Sequence, residues 1–258
     1  MISPKRIAIL ATDCDSTRIV FNALNREFNV CAVILERPVP RGEFLRRRFR
    51  KLGVRTVAGQ LAFRALIAPV LNRQAQRRIA EILAAHALDT SPIDPTVRVP
   101  ITSVNDEECR EKLRLYAPDL IVVNGTRIIS TTTLSSTTAR FVNVHTGLTP
   151  LYRGVHGGYW ALAQGRRDHF GVTIHFVDTG IDTGSVIKQA LAQPTDADTF
   201  ATYSYLQYAV GIPLLKEAIR QVLAGNDLPL TPLTGNSKLW SHPTIGQYLG
   251  NLARKGVW

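Results

Sequence analysis

The sequence predicts an α/β fold: a doubly wound, mostly parallel sheet with a helical insertion and a short, mainly helical C-terminal extension. Two observations lead there. Short, near-continuous apolar runs such as Asn29-Val-Cys-Ala-Val-Ile-Leu35 read as parallel strands covered on both faces. Between them, apolar residues recur at helical spacing. Strands that alternate with helices in this way build an open sheet with helices on both faces. The chain of 258 residues is long enough to bury a substantial core, and its hydrophobic fraction of 45% is ordinary for a globular protein.

The elements follow in order. Arg6-Ile-Ala-Ile-Leu-Ala11 reads as the first strand, and residues 15–26 as a helix with Asp15 or Ser16 as its cap. Asn29–Leu35 is the second strand. After Pro38-Val-Pro40 comes an insertion over about 37–95, helical from about 57 to 87 through Leu61, Leu66, Ile67, Val70, Leu71, Ile79, Ile82 and Leu83. Ser91-Pro-Ile-Asp-Pro95 closes it. Residues 106–117 read as a helix, and Asp119–Asn124 and Phe141–His145 as strands. The Ser/Thr cluster from Ser130 to Thr138 is expected to form a capped turn and short helix. Residues 170–178 and 185–192 read as two further strands. The end, from about 198 to 225, reads as helix interrupted near Gly211-Ile-Pro213. The expected division is 1–195 for the main domain and 196–258 for the extension.

Composition narrows the setting. The apolar piece Ile7–Leu10 is too short for a signal-peptide core, and no apolar run reaches the length of a membrane span. Cys14, Cys31 and Cys109 are far apart, form no metal-type pair, and are expected as small core residues in a reducing, cytoplasmic setting. No metal site is expected. The 31 Lys and Arg against 20 Asp and Glu give a formal charge of +11, which favours anionic partners. Arg37, Arg41, Arg46, Arg47, Arg48, Arg50, Lys51 and Arg55 crowd one stretch, with only Phe44 and Phe49 as aromatics, so nucleic acid is an unfavoured partner.

The chemistry concentrates at strand ends, where ligands of such sheets bind. Side chains alternate along a strand, so Asn143 and His145 share one face, with Val142 and Val144 on the other. Two polar groups on an apolar strand are costly to bury without a purpose. Asn143-Val-His145 is followed by Pro150-Leu-Tyr-Arg-Gly154, then Gly171-Val-Thr-Ile-His175, then Asp178-Thr-Gly-Ile-Asp182-Thr-Gly184. Upstream, Val123-Asn-Gly-Thr-Arg-Ile-Ile-Ser130 ends the preceding strand.

In this order and spacing, the set resembles the formyltransferase family that uses 10-formyltetrahydrofolate, over roughly residues 97–192. The resemblance implies a Rossmann-like formyltransferase fold and 10-formyltetrahydrofolate as co-substrate. It implies Asn143, His145 and Asp182 as catalytic residues. It implies that Gly125, Thr126, Arg127, Ile128 and Ile129 wall the pterin, and that a loop with Asp178 and Ile181 closes over the folate. Physical reasoning agrees: an amine attacking a formyl carbon creates an oxyanion that N–H groups of Asn143 and His145 can stabilise, and Asp182 can favour protonated His145 or take the amine proton. Tyr152, Arg153 and His156 are candidates for contacts with the acceptor. Tyr159 and Trp160 are expected in the core, and His175 in a structural or supporting role.

Departures from the family bear on the acceptor. The place of the glycine-rich phosphate loop reads Ala11-Thr-Asp-Cys-Asp-Ser-Thr17, without glycine, which disfavours glycinamide ribonucleotide. About sixty residues follow the last motif, which disfavours the tRNA-binding barrel of methionyl-tRNA formyltransferases. The chain starts at strand one, which disfavours formyltetrahydrofolate hydrolase. His145-Thr-Gly-Leu-Thr-Pro150 replaces the usual H-P-S-L-L-P turn. The expected acceptor is a nucleotide-linked amino sugar, as in O-antigen, lipopolysaccharide or other surface-polysaccharide synthesis. The alternatives are the three activities just named and a non-catalytic anion-binding module. The resemblance makes a homodimer a reasonable expectation.

Overall fold

The computed structural model describes residues 5–226 and 236–258. In the first half, β1 (Arg6–Ala11), α1 (Asp15–Asn25) and β2 (Asn29–Glu36) lead into α2 (Arg41–Leu52). Next come α3 (Val54–Ala62), a π-helical turn (Phe63–Ile67) and α4 (Ala68–Ala85), which together make one continuous helix. Then follow β3 (Arg98–Ile101), α5 (Glu107–Tyr116), β4 (Leu120–Asn124), α6 (Thr131–Leu134) and β5 (Arg140–His145). The second half holds β6 (Arg153–Gly154), α7 (Gly157–Ala163), a 3₁₀ turn (Arg167–His169), β7 (Gly171–Phe176) and β8 (Val186–Leu191). It ends with α8 (Tyr203–Leu223), β9 (Leu239–Trp240) and α9 (Ile245–Lys255).

Seven strands form one sheet in the order β3-β2-β1-β4-β5-β7-β8. The first five run parallel, while β7 is antiparallel to β5 and β8 is antiparallel to β7. The strand order reverses between β1 and β4, so a crevice opens at their carboxyl ends. Strand alternation divides the core. Ile7, Ile9, Val122, Val142 and Val144 face one layer, and Ala8, Leu10, Ile121, Val123 and Phe141 face the other. α8 seals the first layer through Leu206, Ile212, Leu215 and Ile219, so the C-terminal segment shares the core of the sheet.

Several sequence expectations need correction. Cys14 is the cap residue of α1, with extended backbone and no side-chain cap bond; Asp15 is already in the first turn. Cys14 is also exposed, whereas Cys109 is buried, so only part of the cysteine set belongs to the core. The basic stretch forms the exposed helix α2, which extends the helical part of the insertion back to Arg41. α8 runs unbroken through Pro213. A proline inside a helix costs about 3 kcal/mol, and the burial of Leu206, Ile212, Leu215 and Ile219 offsets it. The C-terminal stretch is not purely helical, because β9 pairs with β6 beside the crevice. Residues 1–4 and 227–235, which fall within the expected segments, lie outside the described residues. Ser130 caps α6 by accepting from the Thr133 N–H, as the Ser/Thr cluster suggests.

Candidate active site

A cleft of about 660 Å³ opens at the carboxyl ends of β1, β4 and β5. Its floor is set by cross-strand register. In the antiparallel pair of β5 and β7, Asn143 lies opposite His175 and His145 opposite Thr173, which brings facing side chains into contact. The Asn143 amide nitrogen lies 3.1 Å from His175 Nε2 and donates to Asp182 Oδ1 at 3.3 Å. His175 Nδ1 donates to the Phe176 carbonyl at 2.8 Å. The Phe176 contact fixes the His175 ring, so that Nε2 faces both the Asn143 amide and Asp182.

Asp182 closes the group from the opposite side. Its backbone is left-handed, with φ 50°, a conformation that non-glycine residues adopt at some cost and that often marks functional sites. Oδ2 accepts from the Gly154 N–H at 2.8 Å and lies 3.4 Å from His145 Nδ1. Oδ1 lies 3.5 Å from His175 Nε2. Burial pushes the Asp182 carboxyl up, but His145, His175 and the Gly154 N–H outweigh it and hold it down at about 2. Burial also pulls His145 below its ordinary value, against the opposing pull of Asp182.

The position of His145 depends on a turn that only glycine permits. Its Nε2 donates to the Tyr152 carbonyl at 2.7 Å. A Cβ on Gly147 would sit 2.5 Å from that oxygen and 2.6 Å from Nε2. With Nε2 carrying a proton, Nδ1 faces the Asp182 carboxylate, so both ring nitrogens look at oxygen acceptors. Only the imidazolium satisfies both. The site is thus poised to stabilise a proton arriving at Nδ1.

The geometry refines the expected donor set. The Asn143 amide nitrogen is in contact with His175 and Asp182, and the His145 Nε2 proton is engaged by Tyr152. The longer Asn143–Asp182 contact is the weaker of the two amide bonds.

Gly125, Thr126, Arg127, Ile128 and Ile129 all line the cleft, as do Asp178 and Ile181. Gly125 adopts φ 66° and turns the chain over Thr12. The Arg127 N–H donates to buried Glu36 at 2.7 Å, which anchors this wall, and Ile128 is left 55% exposed towards the cleft. The Asp178 carboxylate accepts from the Gly180 N–H and the Thr183 hydroxyl, shaping its loop from within. A Cβ on Gly184 would collide with the Phe176 carbonyl, so the loop closes only on glycine.

Two of the expected acceptor contacts are corrected. The Tyr152 side chain is buried, bonded through its hydroxyl to Gln164 and stacked on Trp240, so it meets the site only through its carbonyl. Arg153 donates to the Ile181 carbonyl at 3.1 Å and braces the Asp182 loop; it is not among the residues lining the cleft. His156 does line the cleft, in a left-handed conformation, with Nε2 2.8 Å from His242 Nδ1. Tyr159 and Trp160 are buried as expected.

Other residues escape sequence reasoning because they come from distant segments. Tyr208 on α8 donates to Asn124 Oδ1 at 2.6 Å, and the Asn124 amide donates to Ser16 and Thr17. This network ties α8 and α1 to the end of β4. Tyr205, His242, Ala68 and Asn72 also line the cleft. Nothing in their local sequence marks them.

Comparison with known proteins agrees with this architecture. Residues 68–206 match the family model described as formyl transferase. A methionyl-tRNA formyltransferase of Anaeromyxobacter sp. (strain K) is 37% identical over 128 residues, 49% of this chain and 41% of that protein. A phosphoribosylglycinamide formyltransferase of Escherichia coli (strain K12) is 36% identical over 109 residues, 42% of this chain and 48% of that protein. The chain thus spans less than half the length of the curated relatives it matches here. A 4-N formyltransferase from Francisella tularensis shares the fold at 16% identity, with TM-score 0.56 over 95% of this chain and 78% of that one. With more than half its length matched to the family model and its motif residues gathered at one cleft, the chain belongs to the formyl transferase family.

Proposed function

We propose that this protein moves a formyl group from 10-formyltetrahydrofolate to the amine of a nucleotide-linked amino sugar, with Asn143, His145 and Asp182 carrying the chemistry. The observation that supports formyl transfer best is the contact of these three side chains at the head of one cleft. The acceptor amine attacks the formyl carbon, and the bond from that carbon to N10 of the folate breaks. One proton leaves the amine and one reaches N10. The His145–Asp182 pair holds the proton in transit: His145 Nδ1 is the free basic position, and the Asp182 carboxylate stabilises the imidazolium. The developing oxyanion draws the Asn143 amide from its 3.3 Å contact with Asp182. The Gly125–Ile129 wall and exposed Ile128 offer the apolar, backbone-rich surface that a flat pterin needs.

The acceptor reading rests on the loop after β1. Asp13 pairs with Arg18 and Arg98, and Asp15 accepts from Tyr205. Two carboxylates and no glycine make a poor cradle for a ribonucleotide phosphate. The aromatic and hydroxyl groups of Tyr205, Ser204 and Phe200 in the cleft suit a sugar. Three free cysteines suit a reducing compartment such as the cytoplasm. A second reading, methionyl-tRNA as acceptor, is favoured by the identity to methionyl-tRNA formyltransferases and by the basic insertion. The test is turnover of 10-formyltetrahydrofolate with nucleotide amino sugars, glycinamide ribonucleotide and methionyl-tRNA offered separately. Turnover with the amino sugars alone supports the proposal; turnover with methionyl-tRNA alone replaces its acceptor.

A further inference from the structure

We propose that the helical insertion docks the protein on an anionic lipid bilayer and holds the mouth of the cleft beside that surface. This goes beyond the formyl-transfer reading and does not depend on it. Between residues 41 and 80 stand eleven Lys or Arg and one carboxylate, Glu43, so this stretch carries nearly all of the net charge of +11. None of the residues of α2 is buried. The ion pairs within residues 41–80 are Arg47 with Glu43, Arg77 and Arg78 with Glu81, and Arg78 with Asp198. Among the described residues, Arg41, Arg46, Arg50, Lys51, Arg55 and Arg64 form no ion pair.

The continuous helix Val54–Ala85 adds an apolar face. Its most apolar stretch has a mean hydropathy of 1.3, and only 22% of that stretch is buried. One side sends Val57, Phe63, Leu71 and Ile82 into the core. The other leaves Val54 69%, Leu61 39%, Leu66 62% and Val70 52% exposed. Sixteen residues of helix separate Val54 from Val70, about 24 Å at 1.5 Å per residue. An exposed aliphatic stripe beside free cations is the pattern of a helix that lies on a bilayer interface. Because the opposite face is committed to the core, the helix lies on the bilayer and does not cross it.

Charge decides between occupants. A second copy seated on this face would set two strongly cationic surfaces together around a shared axis. RNA would match the cations, but Val54, Leu61, Leu66 and Val70 offer its bases no stacking surface. Anionic lipid matches both the cations and the aliphatic stripe. The same helix turns Ala68 and Asn72 into the cleft. Gln60 accepts from Arg48 at 2.5 Å and donates to the His242 carbonyl at 2.7 Å, which joins α2 to the cleft wall.

The test is flotation with vesicles of phosphatidylcholine alone and of phosphatidylcholine with about one-third phosphatidylglycerol, without folate or acceptor. The expected result is binding to the anionic vesicles and little to the neutral ones. Arg46→Gln with Arg50→Gln should weaken binding roughly 25-fold, about fivefold per cation. Leu66→Asp with Val70→Asp should abolish it, and both pairs should melt like wild type because their side chains are exposed. No binding to anionic vesicles overturns the proposal. So does unchanged binding by the Leu66→Asp, Val70→Asp variant with competition by RNA, which would identify a nucleic-acid surface. A wild-type dimer that this variant converts to monomer overturns it as well, by assigning the stripe to a second copy. None of these readouts involves formyl transfer, so failure here leaves the enzymatic reading standing.

Discussion

The half-buried pair of His156 and His242 makes stability fall with acidification above the range where carboxylates titrate. Burial, with His242 alongside, pushes His156 down to about 3. Burial, with Arg48 and Arg64 nearby, pushes His242 down to about 4. In the unfolded chain both return to about 6.5. Below that pH the unfolded state binds protons that the folded state refuses, so stability drops as pH falls from about 6.5 towards 4. A pH of 5 lies about 1.5 units below that unfolded value. At 1.36 kcal/mol per unit this is about 2 kcal/mol each, and about 4 kcal/mol for the pair. That is a large share of a typical domain's stability. His145, also pulled down by burial, acts in the same direction. The carboxylates act in a separate window: Asp182, held at about 2, withdraws its contribution only as pH falls below about 4. The assay is urea unfolding at pH 7 and pH 5 of wild type and of the double variant His156→Asn, His242→Gln. Asparagine tolerates the left-handed backbone at position 156. The loss between the two pH values should shrink by about 4 kcal/mol in the variant. An equal loss in both proteins, or none in wild type, would refute the assignment.

Three further outcomes are expected. Asp182→Asn keeps the shape of the side chain, but any orientation that still accepts from the Gly154 N–H aims its amide donors at Asn143 and His175; kcat should fall about a hundred- to thousandfold in steady-state kinetics. Gly147→Ala drives a Cβ between the Tyr152 carbonyl and His145, so thermal denaturation should show a loss of about 1–3 kcal/mol together with loss of turnover. Arg78→Ala removes the two guanidinium bonds, at 2.8 and 3.1 Å, that hold fully buried Asp198 and pin α4 to residues 195–202. Stranding that carboxylate should cost about 3–5 kcal/mol in chemical denaturation, less whatever the Thr195 and Thr202 bonds retain.

The parts of this fold legible in the sequence are those with a local signal. β1, β2 and β4 are near-continuous apolar runs, β5 alternates apolar and polar groups, and residues 143–145 and 178–184 carry their polar groups at fixed spacing. β3 is four residues long with a proline, Pro100, and α2 has no buried face, so neither offers a periodic pattern. Pro213 signals a break that burial of α8 overrides. Tyr152 and Arg153 sit inside a motif beside the site, yet the tight Gly147 turn sends the tyrosine ring towards Trp240 and the guanidinium towards Ile181. Tyr208 and His242 reach the cleft, and Glu36 anchors its wall, from elements far apart in the chain. Only tertiary packing brings them together, so spacing along the sequence cannot reveal them.

The central claim is that the Asn143–His145–Asp182 cleft performs formyl transfer. Tetrahydrofolate release from 10-formyltetrahydrofolate, followed by absorbance with a pool of nucleotide-linked amino sugars, tests it most directly. The expected result is release that depends on the pool and is lost in Asp182→Asn. Silence of the wild-type protein with amino sugars, glycinamide ribonucleotide and methionyl-tRNA alike would contradict it.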